Sequence, residues 1–184
     1  MPRIQKGEKL PDFTVDTQDK EKVTLHSLLK GKTILRVLRY IGCPSCRLDV
    51  HEIAENYDAF TARGAQVLVV MQSTKKNLNE ALAGENLPFS IVCDPDMEIY
   101  KTLAIRVAAD KEELIGADPS AMLAIRERVQ AQGFVHGVYE GDELQLPAMF
   151  IVDEDAKVLY THYAKSIPDM PSVQEMLTIL EGLA

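Results

Sequence analysis

The stretch Thr33-Ile34-Leu35-Arg36-Val37-Leu38-Arg39-Tyr40-Ile41-Gly42-Cys43-Pro44-Ser45-Cys46 carries an apolar run straight into a C-x-x-C. Residues 33–40 have the β-branched and aromatic content, and the length, of a buried strand. Pro44 marks the first position of a helix, because its fixed φ suits that position and its missing N–H would lack a partner there in any case. The helix is predicted over 44–62, with Leu48, Val50, Ile53, Ala54, Tyr57 and Phe60 spaced mostly in threes and fours, and Arg63-Gly64 ends it. Cys43 therefore falls at the N-cap, where unpaired N–H groups and the helix dipole both favour a thiolate. Cysteines so placed have their pKa lowered from about 8.5 to roughly 3.5–7.5. Cys46 lies one turn on over the same face, so the two sulfurs can join with little movement of the backbone.

Outward from this unit, residues 66–71 (QVLVVM) form a nearly continuous apolar run, the mark of a strand covered on both faces. Ser73 is a candidate cap for a helix over 75–83, and 89–93 is the next strand, followed by the turn Asp94-Pro95-Asp96 and a helix over 97–103. The alternation of strand and helix predicts an α/β fold with a parallel core and right-handed crossovers. Upstream, 10–16 and 22–25 read as an N-terminal hairpin, with a helical turn over 26–30. Residues 104–145 read as an insertion with a helix over 120–132, too short to enclose a core of its own. After it, 148–152 and 158–163 form an antiparallel pair, and a last helix is predicted over 172–183. No repeat or linker marks a boundary, so 1–184 is read as one domain.

The chain has 20 Lys+Arg against 28 Asp+Glu, a net charge of −8, which argues against a nucleic-acid surface. No apolar run approaches the roughly 20 residues needed to span a membrane, and no signal peptide is evident, so a cytoplasmic protein is expected. With 46% hydrophobic residues a core forms without covalent staples, and a disulfide closing so small a ring would add little stability. A structural zinc site lacks its second pair of ligands, so no metal and no cofactor are expected. Redox chemistry is the reading left for Cys43 and Cys46.

Strand, C-x-x-C at a helix start, βαβ, then a proline leading a hairpin and a closing helix resembles the thioredoxin-like fold. Leu10-Pro11-Asp12-Phe13 and Cys93-Asp94-Pro95-Asp96 look like its peroxiredoxin-like branch, the alkyl hydroperoxide reductase/thiol-specific antioxidant family. The resemblance implies a mixed central sheet flanked by helices. It implies a thiol-disulfide oxidoreductase or thiol peroxidase with Cys43 and Cys46 as catalytic pair, and Pro44, Leu146 and Pro147 against the substrate. Leu146-Pro147 is then expected to be cis and to face the cysteines. The substrate is a peroxide or a protein disulfide, the electron donor a thiol reductant such as thioredoxin, and a homodimer is admitted. The order of attack stays open, because the helix start favours Cys43 whereas the peroxiredoxin register places the attacking residue at Cys46.

The departures are specific. A peroxiredoxin P-x-x-x-T-x-x-C laid on Cys46 finds Arg39 and Cys43 in place of Pro and Thr, and Pro147 stands where those enzymes place an arginine. The thioredoxin tryptophan is Gly42 and its buried acid is Val37. Arg39 is the candidate replacement, close enough to hold a thiolate or orient a peroxide. Its odd separation from Arg36 predicts opposite faces of the strand. Arg47 is expected to be solvated, His51 to lie at the surface, Cys93 to be a small buried hydrophobe, and Tyr40 and Met149 to flank the site from the core. The competing reading is a non-catalytic thioredoxin-like module whose cysteines sense redox state or whose insertion binds a partner.

Overall fold

The computed structural model describes residues 2–183. Seven strands form one mixed sheet: β1 (Thr14–Thr17), β2 (Val23–Thr24), β3 (Lys32–Val37), β4 (Ala65–Met71), β5 (Ile91–Cys93), β6 (Ala148–Val152) and β7 (Val158–Tyr163), in the order β2-β1-β5-β4-β3-β6-β7. β3, β4 and β5 run parallel, while β1, β6 and β7 join antiparallel. The helices are α1 (Pro44–Glu55), α2 (Tyr57–Thr61), α3 (Lys75–Ala81), α4 (Glu98–Thr102), α5 (Lys111–Ile115), α6 (Pro119–Ala131) and α7 (Val173–Gly182). This is the thioredoxin-like architecture with a helical insertion ahead of the last hairpin.

Both faces of the sheet are covered, which is why its central strands are apolar without interruption. Ile34, Val67, Val69 and Ile151 pack on one face with Val50 and Ile53 of α1 and Met176 and Leu180 of α7. Leu35, Val37, Val70 and Phe150 pack on the other with Ile99 and Tyr100 of α4. The last helix starts at a capping box in which Ser172 and Glu175 satisfy each other's backbone N–H groups. Asp94 caps α4 through both carboxylate oxygens, at 2.9 Å from the Glu98 N–H and 2.8 Å from that of Ile99.

Several expectations are corrected. The strand predicted over 33–40 ends at Val37, so the alternation of faces lapses before Arg39, and Arg36 and Arg39 come to line one common cavity. The helix predicted to residue 62 breaks at Asn56, whose side chain donates to the Glu52 carbonyl at 2.8 Å and diverts the helical ladder. Thr74, not Ser73, caps α3. Ser73 instead accepts the Ile41 N–H at 2.9 Å, tying the end of β4 to the cysteine loop. Leu146–Pro147 is trans, the ordinary isomer, with the Leu146 N–H held by the Arg106 carbonyl at 3.3 Å and the Pro147 carbonyl accepting from Ala164 at 3.2 Å.

The insertion adds α5, whose single turn carries too short a pattern to be read in advance. α6 has no fully buried residue. It is fastened to α1 by an ion pair from Arg128 to Glu52. Among the described residues no helix is long and apolar enough to cross a membrane.

Candidate active site

The cysteine loop is pinned from several sides before any side chain is considered. Leu38 donates to the Val70 carbonyl at 2.9 Å, Gln72 to the Arg39 carbonyl at 2.8 Å, and Cys43 to the Tyr40 carbonyl at 3.1 Å. The insertion reaches it at Gly42, whose carbonyl accepts the Gly137 N–H at 2.8 Å. A Cβ on Gly42 would lie 2.2 Å from the Val138 carbonyl oxygen, an overlap with backbone that no rotamer can relieve. Gly42→Ala is therefore expected to push residues 137–139 off the loop and break the Gly137 N–H bond to it; hydrogen exchange at Gly137 is the check, and unchanged protection would contradict it.

Cys43 occupies the N-cap of α1 in extended geometry, with Pro44 next. Its sulfur makes no full capping bond to the first turn. It is held instead by side chains: Arg39 Nη1 donates to Sγ at 3.3 Å and the Ser45 hydroxyl lies 3.1 Å away. The Cys46 thiol facing it contributes most to lowering the Cys43 pKa, and Arg39, Ser45 and the Cys46 N–H add to it, so that against the cost of burial the group falls to about 5. Cys46 moves the opposite way, raised by burial first and by the Cys43 anion second. The pair is one thiolate and one thiol: Cys43 carries the charge and Cys46 keeps the proton. Burial disfavours charge on Arg39, but the two sulfurs outweigh it and hold the guanidinium protonated.

A second arginine anchors the floor of the site. Arg36 forks onto Asp49 of α1, with Nε 3.0 Å and Nη2 2.8 Å from Oδ2, while Nη1 rests on the sulfurs of Met149 and Met176. The pair ties β3 to α1 one turn beyond Cys46. Removing the carboxylate leaves a buried guanidinium without a counter-charge, so Asp49→Ala is expected to lower stability by about 3–5 kcal/mol, read from denaturant midpoints. Asp49→Asn, which keeps an acceptor, is expected to lose less.

Two openings meet at the dithiol. A cavity of about 420 Å³ is lined by Cys43, Pro44, Arg39 and Tyr40 together with Leu114 and Ile115 of α5 and Met122, Ile125 and Val129 of α6. A smaller one, about 220 Å³, is lined by Cys46, Arg36, Asp49, Glu52, Arg128 and Pro147, among others. Pro44 and Pro147 thus lie one at each opening. Leu146 lines neither; it is buried with Ala108 and Leu114 under the insertion. Cys93 is buried, and burial pushes its thiol up to about 12. Tyr40 and Met149 are buried in the core. His51 is half-buried against Phe134 rather than at the open surface. Arg47 is not free in solvent: it pairs with Glu85 and lies over the Phe134 ring at 5.7 Å. Among the described residues no group of three or more His, Cys, Asp and Glu is arranged to hold a metal ion.

Sequence reasoning missed the residues that the insertion brings to the site. His136 stacks on Tyr139, with ring centroids 4.0 Å apart, and its Nε2 lies 3.1 Å from the Tyr40 hydroxyl. The ring's Nδ1 faces the Gly137 carbonyl at 2.8 Å and must donate to it, so Nε2 of the neutral ring accepts from Tyr40. The Glu143 carbonyl accepts from Arg39 Nη2. The one available signal was the spacing of Met122, Ile125 and Val129, an apolar stripe on a helix with no core to face.

A mixed sheet with a dithiol at the start of the helix that follows β3 is the thioredoxin-like arrangement. The AhpC/TSA family model matches residues 6–161, and the chain belongs to that family. A Mycobacterium tuberculosis relative, provisionally named a peroxiredoxin, is 23% identical over 161 residues, 88% of this chain and 86% of its own. Among solved structures, peroxidoxin BcpB of the same organism superposes with a TM-score of 0.69 at 13% identity, covering 99% of each chain. Thiol peroxidase from Chromobacterium violaceum superposes at 0.65 and 13% identity, covering 98% of this chain and 88% of that one. At such identities these structures speak for the fold.

Proposed function

We propose that the protein is a thiol-dependent peroxidase in which Cys43 attacks a hydroperoxide and Cys46 resolves the product. The observation that carries this reading is Arg39 Nη1 at 3.3 Å from Cys43 Sγ, on the wall of the cavity open to that sulfur. The thiolate attacks the terminal peroxide oxygen, the O–O bond breaks, and the alkoxide leaves and takes a proton; Cys43 becomes a sulfenic acid. The Cys46 sulfur then attacks the Cys43 sulfur, water departs, and the Cys43–Cys46 disulfide remains. Arg39 stabilises the thiolate before the reaction and faces the charge that builds on the departing oxygen. A thiol reductant such as thioredoxin or a small thiol returns the pair to the dithiol, and a reducing compartment such as the cytoplasm supplies it.

Cys43 is only 2% exposed, which favours an oxidant small enough to enter the cavity over the disulfide of a folded protein. The test mixes reduced protein with cumene hydroperoxide in a stopped-flow instrument and counts thiols afterwards. The expected result is the loss of two thiols per hydroperoxide at a rate far above that of free cysteine. A rate no faster than free cysteine would overturn the peroxidase and leave a non-catalytic redox module.

A further inference from the structure

The two openings do not share a sulfur. Cys43 lines only the larger cavity and Cys46 only the smaller groove, with Arg39 and Ser45 standing between them. α6 lies across the site as a bar: Ala121 and Arg128 face the groove, Met122 and Val129 face the cavity, and Ile125 borders both. The linings differ in chemistry. The Cys43 cavity has Leu114, Met122 and Val129 on its wall alongside Lys111 and Arg126, whereas the Cys46 groove, also partly apolar, carries the Arg36–Asp49 and Arg128–Glu52 ion pairs.

We infer that the two half-reactions use separate entrances: the hydroperoxide reaches Cys43 through the larger cavity, and a small hydrophilic thiol regenerates the enzyme by attacking Cys46 through the groove that holds the two ion pairs. The inference rests on the Cys43–Cys46 couple proposed above and adds which sulfur the reductant strikes. Thiol-disulfide exchange runs faster when the departing sulfur is the better leaving group. That sulfur is Cys43, which leaves as a thiolate beside the Arg39 guanidinium and the Ser45 hydroxyl. An incoming thiolate forms a bond to Cys46 Sγ, the S–S bond breaks, and its electron pair stays on Cys43. A second thiol then attacks the sulfur of the bound reductant, carrying it off as an external disulfide, and Cys46 takes up a proton. Two thiols are oxidised and one protein disulfide is reduced.

The disulfide is first formed with diamide, so that the experiment does not depend on peroxidase activity. Glutathione is then added, the mixture is quenched with iodoacetamide within the first turnover, and peptides are mapped by mass. The expected species carries glutathione on Cys46 and the alkyl group on Cys43; glutathione on Cys43 would overturn the inference. Ala121→Phe narrows the groove and Val129→Phe the cavity, both on a helix with no fully buried residue. Ala121→Phe is expected to slow reduction by glutathione at least fivefold more than oxidation by cumene hydroperoxide, and Val129→Phe to do the reverse. Equal slowing of both steps by either variant would also overturn it. If hydroperoxide oxidises none of these proteins, the peroxidase reading fails, while the diamide arm still reports which sulfur is struck.

Discussion

Cys43→Ser is expected to abolish hydroperoxide consumption, whereas Cys46→Ser is expected to leave the first oxidation in place and stop the cycle after it. The difference follows from how the two sulfurs are held. Cys43 is the group at which the Cys46 thiol, Arg39 and Ser45 all stabilise negative charge, bringing it to about 5, so that it is almost entirely thiolate at neutral pH. A serine hydroxyl there has no comparable anion, and the first-step rate should drop by at least about 10³-fold. Cys46, whose thiol burial and the neighbouring anion keep protonated, does not compete for the oxidant. Without it, Cys43 should accumulate as a sulfenic acid, detectable by dimedone labelling. The hydrogen bond from the Cys46 side chain contributes most to lowering the Cys43 pKa, so Cys46→Ala, which removes it, should also slow the first step at acid pH, whereas the serine hydroxyl can still donate that bond. If Cys43→Ser kept a full first oxidation and Cys46→Ser lost it, the order of attack would be the reverse.

Arg39→Ala is expected to produce the next largest loss, and its pH profile separates two contributions. The guanidinium 3.3 Å from the sulfur is one of the groups that lower the thiol pKa, so removing it should move the acid limb of the rate profile to higher pH. The wild-type limb is expected near the Cys43 value of about 5. Above neutral pH both proteins are thiolates, and the remaining deficit measures what Arg39 does for the departing oxygen. A hydrogen bond to a charged group contributes about 1.5–3 kcal/mol, so tenfold is a floor there, and the deficit widens as pH falls toward 5. Arg39→Lys restores a charge but not the fork that spans Cys43 and the Glu143 carbonyl, and should recover only part of the loss. A plateau equal to wild type would confine Arg39 to setting the thiol pKa.

The same linkage has a sign for stability. In the unfolded chain Cys43 titrates near 8.5, and in the folded protein near 5, so between these pH values the unfolded state binds one more proton and the reduced fold gains stability as pH rises. Cys46 acts in the opposite sense, since its folded value lies above the unfolded one; its contribution is full below about 8.5 and is lost as pH climbs further.

Reading outward from 33–46 located the main features of the sheet because each depended on neighbours a few residues away. The apolar runs at 66–71 and 148–152 are strands buried on both sides, Pro44 starts α1, and Cys43 sits at its cap. What failed did so where a local rule met a distant partner. Ser73 had the chemistry of a cap, but the Ile41 N–H claimed its hydroxyl. Arg39 had the spacing to face away from Arg36, but the strand stopped two residues short of it and the chain turned it back to Cys43. Arg36 found its carboxylate in Asp49, thirteen positions on, and nothing in the sequence marked that pairing.

From its order of residues alone, then, this protein is committed to a strand, a short loop and a dithiol on a helix start, since backbone propensity, proline geometry and the period of apolar residues act over a single turn or strand. The surroundings of that dithiol were settled by folding. Tyr40 meets His136 across 96 positions and Arg39 meets the Glu143 carbonyl across 104, and no periodicity links residues so far apart. The insertion has too little apolar surface for a core of its own, so it spends its apolar stripe on the walls of the site. That packing divides one pair of cysteines between two doors.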